Sequence, residues 1–344
     1  MTAANIDHTN LDAQAYGGVV HESVMDKLWD ISNIKLEFTS LCSKGTHDNQ
    51  YREFTKHKLA DPATDNAHVD GVDVDQNDAS LSTRCGNYTQ TALKEVQISH
   101  RSQSANSIAG IGKIAEQIMR VQTELRRDVE AQMLTSQASV AGDGATVAGV
   151  SAGLGAWLET NVDFGGGGSA GGFNDATGIV DAPTHGTARA ITQVLLDSIM
   201  TAVWKEGGEA TIAMGTPEVI GLISDFLFSD GARVATMTNQ DTSGTSEMTG
   251  YAGANVYVGK HGQVLKLVAN RLQPKTDTAA STLYLLDPAH LQQSFMRGYR
   301  TEPLAKTGLS EKRLISVDYS LLVLNEASQG AIFDIDETAA MTAS

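Results

Sequence analysis

The stretch that decides the architecture is IGKIAEQIMRVQTELRRDVEAQML, residues 111–134. Within it Ile111, Ile114, Ile118, Val121, Leu125, Val129 and Met133 return at steps of three and four, which gathers them on one face of an α-helix. Glu116 and Arg120 stand four apart on the other side, in the order that favours a helix ion pair. At about 1.5 Å per residue the rod is roughly 36 Å long. That is long for a compact domain, so the helix is expected to run the length of the molecule.

Upstream of the rod, Lys94, Val96, Ile98 and His100 alternate with Glu95, Gln97 and Ser99, the period of a strand with one wet face. Earlier still, LADPATDNAHVDGVDVDQNDASLST (residues 59–83) carries six aspartates, from Asp61 to Asp78, and neither lysine nor arginine. Such a run repels itself and buries little, so an exposed, extended or hairpin-like excursion is expected. Downstream, residues 137–186 hold five acids and no lysine or arginine, with glycines at 165–168, 171 and 172. GGGGSAGG reads as a flexible loop, preceded by a short amphipathic piece around 154–160. A second helix is expected from Thr187, with Ile191, Leu195, Ile199, Ala202 and Val203 inward and Gly207 as its stop. ATIAMGTPEVIGLISDFLF (210–228) reads as strand, turn and helix, with Thr216 capping and Pro217 at the first helical position. VYVGKHGQVLKLV (256–268) reads as a hairpin. Ile315, Val317, Tyr319, Leu321 and Val323 alternate with Ser316, Asp318 and Ser320, a long strand with one polar face. The tail ETAAMTAS (337–344) is expected to fray. The pattern is α+β with a long helix and a mainly antiparallel sheet, and it shows no internal repeat.

Composition narrows the function. The 344 residues are 41% apolar, an ordinary globular share, with 25 basic and 41 acidic side chains and a net charge of −16. That balance argues against a surface made to neutralise phosphates or to lie on anionic lipid. No apolar run approaches the roughly 18–20 residues that cross a bilayer. The N-terminus has neither the basic start nor the apolar core of a signal peptide. Two cysteines, Cys42 and Cys85, make no disulfide framework and are expected as free thiols in a soluble, cytoplasmic protein.

Candidate chemistry is sparse. Ser151 and Ser169 each sit in a G-x-S-x-G match, and Asp287 with His290 are imaginable partners for Ser151. Glycine, serine and alanine are abundant enough here that chance matches are expected. Residues 166–171 also satisfy G-x-G-x-x-G, with no helix behind them to hold a pyrophosphate. Asp70, Asp73, Asp75 and Asp78 invite a calcium reading. An EF-hand starting at Asp73 fails, because it needs glycine at Asp78 and glutamate at Arg84, so a solvated acidic face is the default. No histidine or cysteine spacing suits zinc. Lys56 and Lys58 could join an amide cross-link to another subunit, but nothing separates them from ordinary solvated lysines.

Several short motifs, taken in order, carry a resemblance. They are Arg84-Cys85-Gly86-Asn87-Tyr88-Thr89-Gln90, the helix end Leu125-Arg126-Arg127-Asp128-Val129-Glu130, Gln137-Ala138-Ser139-Val140-Ala141-Gly142 and Gly153-Leu154-Gly155-Ala156-Trp157-Leu158-Glu159-Thr160-Asn161. Gly186-Thr187-Ala188-Arg189-Ala190, Leu304-Ala305-Lys306-Thr307-Gly308-Leu309-Ser310-Glu311-Lys312-Arg313 and Asn325-Glu326-Ala327-Ser328-Gln329-Gly330 follow. The set, over residues 84–335, resembles the major capsid protein family of tailed phages typified by phage SU-ten. It does not extend residue by residue over the first 80 positions.

The resemblance implies the Hong Kong 97 phage capsid fold. It assigns an N-terminal arm to 1–47, an extended β-hairpin (the E-loop) to 48–100, and a peripheral domain to 101–206 with a spine helix at 110–136 and the glycine-rich loop. An axial domain follows at 207–310, then a C-terminal strand of the peripheral domain at 311–336 and a tail at 337–344. It further implies a non-enzymatic subunit that forms hexamers, pentamers and an icosahedral shell around double-stranded DNA, with no catalytic, cofactor or metal residues and no membrane. Portal, scaffold and cement proteins are the implied partners, in the virion and, during assembly, the host cytoplasm. An encapsulin-like nanocompartment shell is the alternative, and a serine hydrolase using Ser151 the distant third.

Overall fold

Among the described residues a four-stranded and a six-stranded β-sheet, with two further two-stranded ones, accompany one long helix. The computed structural model describes residues 32, 35–60, 62, 64–65, 67–71, 82–105, 112–229, 256–277 and 280–343. In chain order the first elements are α1 (Glu37–Leu41), β1 (Ser43–Thr46), β2 (Tyr51–Lys56), β3 (Thr83–Tyr88), β4 (Gln90–Ser99), α2 (His100–Ser104) and α3 (Ile114–Met133). Next come α4 (Leu154–Trp157), β5 (Val162–Asp163), β6 (Gly172–Asn174), β7 (Ile179–Asp181), α5 (Gln193–Lys205), β8 (Ile212–Gly215) and α6 (Pro217–Ser229). The chain closes with β9 (Val256–Val258), β10 (Val264–Ala269), β11 (Ala280–Leu286), β12 (Leu291–Pro303), β13 (Ser310–Val323) and β14 (Gly330–Asp336).

The first sheet runs β1-β12-β13-β4, with β1 parallel to β12 and the other pairs antiparallel. Helix α3 lies along β4 and β13. Its Leu125, Val129 and Met133 join Val96, Ile315, Val317, Tyr319 and Leu321 in one core. The period-two expectation for 94–100 is met, since inward and exposed residues alternate along β4. The second sheet runs β5-β14-β11-β8-β10-β9 and is mixed, with β5–β14 and β8–β10 parallel. Both of its faces are covered. Tyr284 and Leu286 of β11 enter the first core, while Leu283 and Leu285 enter a second one with α5 and α6. Burial on two sides explains why ASTLYLL carries no alternation.

A buried carboxylate joins these parts. Glu130 of α3 is fully buried, and such a group is stable only when its oxygens are bonded. Its Oε2 accepts the Thr39 amide at 2.8 Å. Its Oε1 accepts the Phe38 amide at 2.8 Å and Asn270 Nδ2 at 2.9 Å. Leu36, at the start of α1, offers no capping side chain, so the acid that caps this helix comes from 91–92 residues away. Asn270 follows β10, so the same carboxylate links the N-terminal segment, the long helix and the second sheet.

Several sequence expectations need correcting. The polar face of β13 is not solvated: Ser316, Asp318 and Ser320 are buried, Asp318 paired with Arg297 and Ser320 opposite Ser294. Glu116 and Arg120 form no ion pair; the helix instead sends Glu124 and Asp128 across to Lys94 on β4. Residues 154–157 form one fully buried turn, too short to be amphipathic. Helix α5 begins at Gln193, six residues after Thr187, because Thr192 caps it by accepting the Leu195 amide. Thr216 turns its hydroxyl to Ser281 and Glu337, although Pro217 does open α6. The tail is docked. Met341 is buried in the second core, and the Thr342 carbonyl accepts the Gln193 amide at 2.9 Å.

The glycine run departs from expectation in part, since Gly165, Gly168, Gly171 and Gly172 are packed while Gly166 and Gly167 are exposed. A Cβ on Gly165 would overlap the Thr187 carbonyl, and one on Gly171 the Asp181 carbonyl. Ser169 bridges Thr184, and β6 pairs with β7. Asp334 holds this region: its buried carboxylate accepts the Gly165 amide at 3.1 Å, the Gly186 amide at 2.7 Å and His185 Nδ1 at 3.1 Å. Asp334 lies at φ 57°, where β14 carries one residue more than β11. Glycine serves here for close backbone approach, which composition cannot distinguish from flexibility.

Two outcomes follow. Gly165→Ala should lower stability by about 1–3 kcal/mol through overpacking. Gly166→Ala, whose added methyl would meet nothing within 4 Å, should stay within about 0.5 kcal/mol of the parent. Equal denaturant midpoints for the two variants would contradict the packed arrangement. Glu130→Ala, which strands three donors, should remove about 3 kcal/mol in the same measurement, and a loss under about 1 kcal/mol would show the cap to be dispensable.

Candidate functional site

The most distinctive feature is a hairpin whose strands pack on the body and whose connecting chain is exposed where it is described. Strands β2 and β3 pair antiparallel from Tyr51↔Tyr88 to Lys56↔Thr83. Glu53 and Arg84 form an ion pair across it, and the Tyr51 and Tyr88 rings meet at 4.7 Å. Every described residue from 57 to 71 is exposed, including Leu59 at 81% and Val69 at 78%. The excursion expected for 59–83 is therefore exposed at its described residues up to Ser82, and Thr83, which opens β3, is half-buried. Asp65 and Asp70 lie in it, whereas Asp61, Asp73, Asp75 and Asp78 fall outside the described residues.

The root of the hairpin is fixed by polar side chains. The Thr89 amide donates to the Gln50 carbonyl at 2.8 Å, and Tyr51 Oη to the Gly178 carbonyl at 2.7 Å. Buried Asn87 donates to the Leu321 carbonyl at 2.7 Å and to Ser151 Oγ at 3.1 Å, and its Oδ1 accepts the Ala152 amide at 3.0 Å. Gln137 Nε2 donates to the Ser151 carbonyl at 2.9 Å, and Gln90 Oε1 accepts the Ser151 amide at 3.3 Å. In a second cluster, Glu326 accepts the Glu159 and Thr160 amides at 2.8 and 2.6 Å. Asn161 Nδ2 reaches the Ala327 carbonyl at 2.7 Å, and Gln329 both accepts from and donates to the Asp287 backbone. Four of the motifs that carry the resemblance thus meet in space, two in each cluster, through amide and carboxylate side chains that satisfy backbone groups.

The candidate catalytic residues are placed apart. Ser151 is buried, and its Oγ accepts from Asn87 and, at 3.2 Å, from the Leu321 amide. Among the described residues Asp334 alone, outside glycine, has a positive φ, so Ser151 lacks the strained turn of a nucleophile elbow. Asp287 and His290 do pair, at 2.8 Å, but as the cap of a short 3₁₀ turn with no hydroxyl partner from Ser151. Ser169 sits in the bridge to Thr184. Among the described residues no group of three or more histidine, cysteine, aspartate or glutamate side chains could hold a metal. Cys42 and Cys85 are buried and free, and burial pushes the Cys42 thiol up to about 12 and raises that of Cys85. Such thiols are inert at neutral pH. Lys58 pairs with Glu206 at 2.6 Å. A groove of about 580 Å³ lies beside the hairpin root between the 142–149 loop and Met296, Arg297 and Asp318, whose two charges are already paired. No described helix is long and apolar enough to cross a membrane.

Periodicity could not find Glu130 or Asn270. Glu130 lies beside the apolar stripe among Glu124 and Asp128, which face water, and no local pattern separates them.

Among solved structures the chain is similar to the capsid of a native GTA particle, 10% identical over 94% of this chain and 98% of that one, with a TM-score of 0.60. It is similar to the capsid of cyanophage A-1(L), 12% identical over 95% and 99%, also at 0.60. It is similar as well to the SrpI encapsulin of Synechococcus elongatus PCC 7942, 11% identical over 98% of each, at 0.58. Identities this low speak for the fold, which is that of Hong Kong 97-type capsids. No curated protein matches. The sequence matches the family described as SU10 major capsid protein over residues 4–336, and the chain belongs to that family.

Proposed function

We propose that this major capsid protein tiles, through hexamers and pentamers, into the icosahedral head of a tailed phage around double-stranded DNA. The observation that carries the reading is an excursion of the chain, exposed over the described residues of 57–71, on a body four of whose motifs are spent on internal polar locks. Such a body needs no reacting group; it needs a fixed shape and limbs that order on neighbours, and many modest contacts repeated by symmetry make the closed shell stable. In this reading 48–100 is the E-loop, 110–136 the spine helix, 207–310 the axial domain and 1–47 the arm, with 311–336 returning to the peripheral domain. Portal, scaffold and cement proteins would complete the virion, built in the host cytoplasm. The likeness to SrpI supports a second reading, a nanocompartment shell holding protein cargo, which particles filled with DNA would exclude.

Negative-stain microscopy and size-exclusion of the purified chain test the reading. Hollow particles or capsomers are expected, and a stable monomer at every concentration would overturn it. A net charge of −16 on each copy also makes approach unfavourable at low salt. Raising ionic strength from about 0.01 M to about 1 M shortens the screening length from about 30 Å to about 3 Å. Particle yield should rise across that range, and a flat yield would remove electrostatics as the control of assembly.

A further inference from the structure

His47 lies on the link between β1 and β2, just past the last pair of β1 with β12. Its amide donates to the Phe295 carbonyl at 3.1 Å, and the residue is 5% exposed. Ring Nδ1 is 2.7 Å from Ser294 Oγ on β12. Ring Nε2 is 2.8 Å from Thr89 Oγ1, the residue between β3 and β4. One imidazole, carried by the foot where the chain enters the hairpin, therefore bonds the foot where the chain leaves and ties both to the first sheet.

The charged groups around the ring are Asp48 beside it, Arg52 on β2, Asp318 on β13 and, paired with Asp318, Arg297 on β12. Burial is the largest influence and lowers the ring's pKa; Arg52 acts in the same direction, and Asp48 and Asp318 oppose them more weakly. No carboxylate bonds the ring directly. A neutral imidazole offers one donor and one acceptor, which two hydroxyls can complement. The same hydroxyls can accept from both nitrogens of an imidazolium, so what disfavours that form is its charge, which enters a buried site with no carboxylate bonded to it.

We infer that His47 is a pH-sensitive latch: neutral, it pins both feet of the β2–β3 hairpin to the β12 sheet, and protonated it lets them go. The sign follows from linkage. A depressed histidine contributes its full stability above the unfolded value near 6.5 and loses it as pH falls through the folded value. The inference does not need the shell reading; if that reading holds, the latch governs the freedom of the limb that reaches a neighbour.

Hydrogen exchange on the full-length, unassembled protein, corrected for intrinsic rates, tests it at about pH 7.5 and about pH 5, on either side of the histidine range. Amides of β2 and β3 should lose about tenfold in protection at the lower pH, roughly 1.4 kcal/mol, while those of β13 stay unchanged. His47→Gln, neutral at both values and able to donate and accept, should abolish the difference. Equal hairpin protection in the parent at both values would overturn the latch, as would the same acid loss in His47→Gln. Should that variant not fold, an NMR titration of the histidine rings in the parent decides. Proton uptake by His47 must share its midpoint with the loosening of the hairpin, below about 6.5, and separate midpoints would refute it. None of these outcomes depends on whether particles form.

Discussion

A carboxylate sealed inside a protein must be fully bonded or it destabilises the fold, and the arrangement of this chain turns on Glu130 meeting that condition. Its three donors come from distant places: two from the first turn of α1, one from Asn270 past β10. Neither cap nor carboxylate is stable without the other. Once they meet, Lys44 on β1 can reach Gln293 across the parallel pair with β12, at 2.6 Å, and the N-terminal segment is committed to the first sheet. The long helix thus acts as both wall and anchor, its apolar stripe covering β4 and β13 while one acid at its edge gathers what lies beyond the sheet.

The legible part of the fold is the part set by period. The helix over Ile114–Met133, the alternation in β4, the hairpin at 256–268 and the strand through 315–323 all arise from apolar side chains meeting one face of one core. Where two faces are covered the period fails or misleads: β11 shows none, and the serines of β13 read as solvated although Ser320 is fully buried. The glycine run misleads for a related reason. Room for a passing backbone and freedom to move have the same composition, and only Asp334 with its three donors decides between them. The docked tail gave no signal because Met341 packs alone, without a periodic partner.

Of the candidate site, the exposed excursion was readable from its charge, since a run of aspartates without a cation has nowhere to hide. Its anchorage was not. His47, Asn87 and Thr89 are ordinary polar residues in sequence, and their meaning comes from partners 40 or more positions away, Thr89 for His47 and Ser151 and Leu321 for Asn87. The short motifs recognised in order are informative for this reason. Asn87, Gln137, Asn161, Glu326 and Gln329 each satisfy backbone groups elsewhere in the body, where another side chain of similar size would leave a buried donor or acceptor empty.

Why a shell subunit should be locked by polar side chains rather than by more apolar packing follows from what tiling demands. An apolar core tolerates small shifts at little penalty, because dispersion contacts are many and non-directional. A buried amide bonded to two carbonyls does not, because a displacement of a few tenths of an ångström weakens every bond it makes. In a single globule that stiffness matters little. In a closed lattice the angle between neighbours is set by each body's shape, and an error repeated around every ring prevents closure. Directional locks such as those of Asn87, Asn161 and Gln329 hold the body to one shape, which is the property that must not vary from copy to copy.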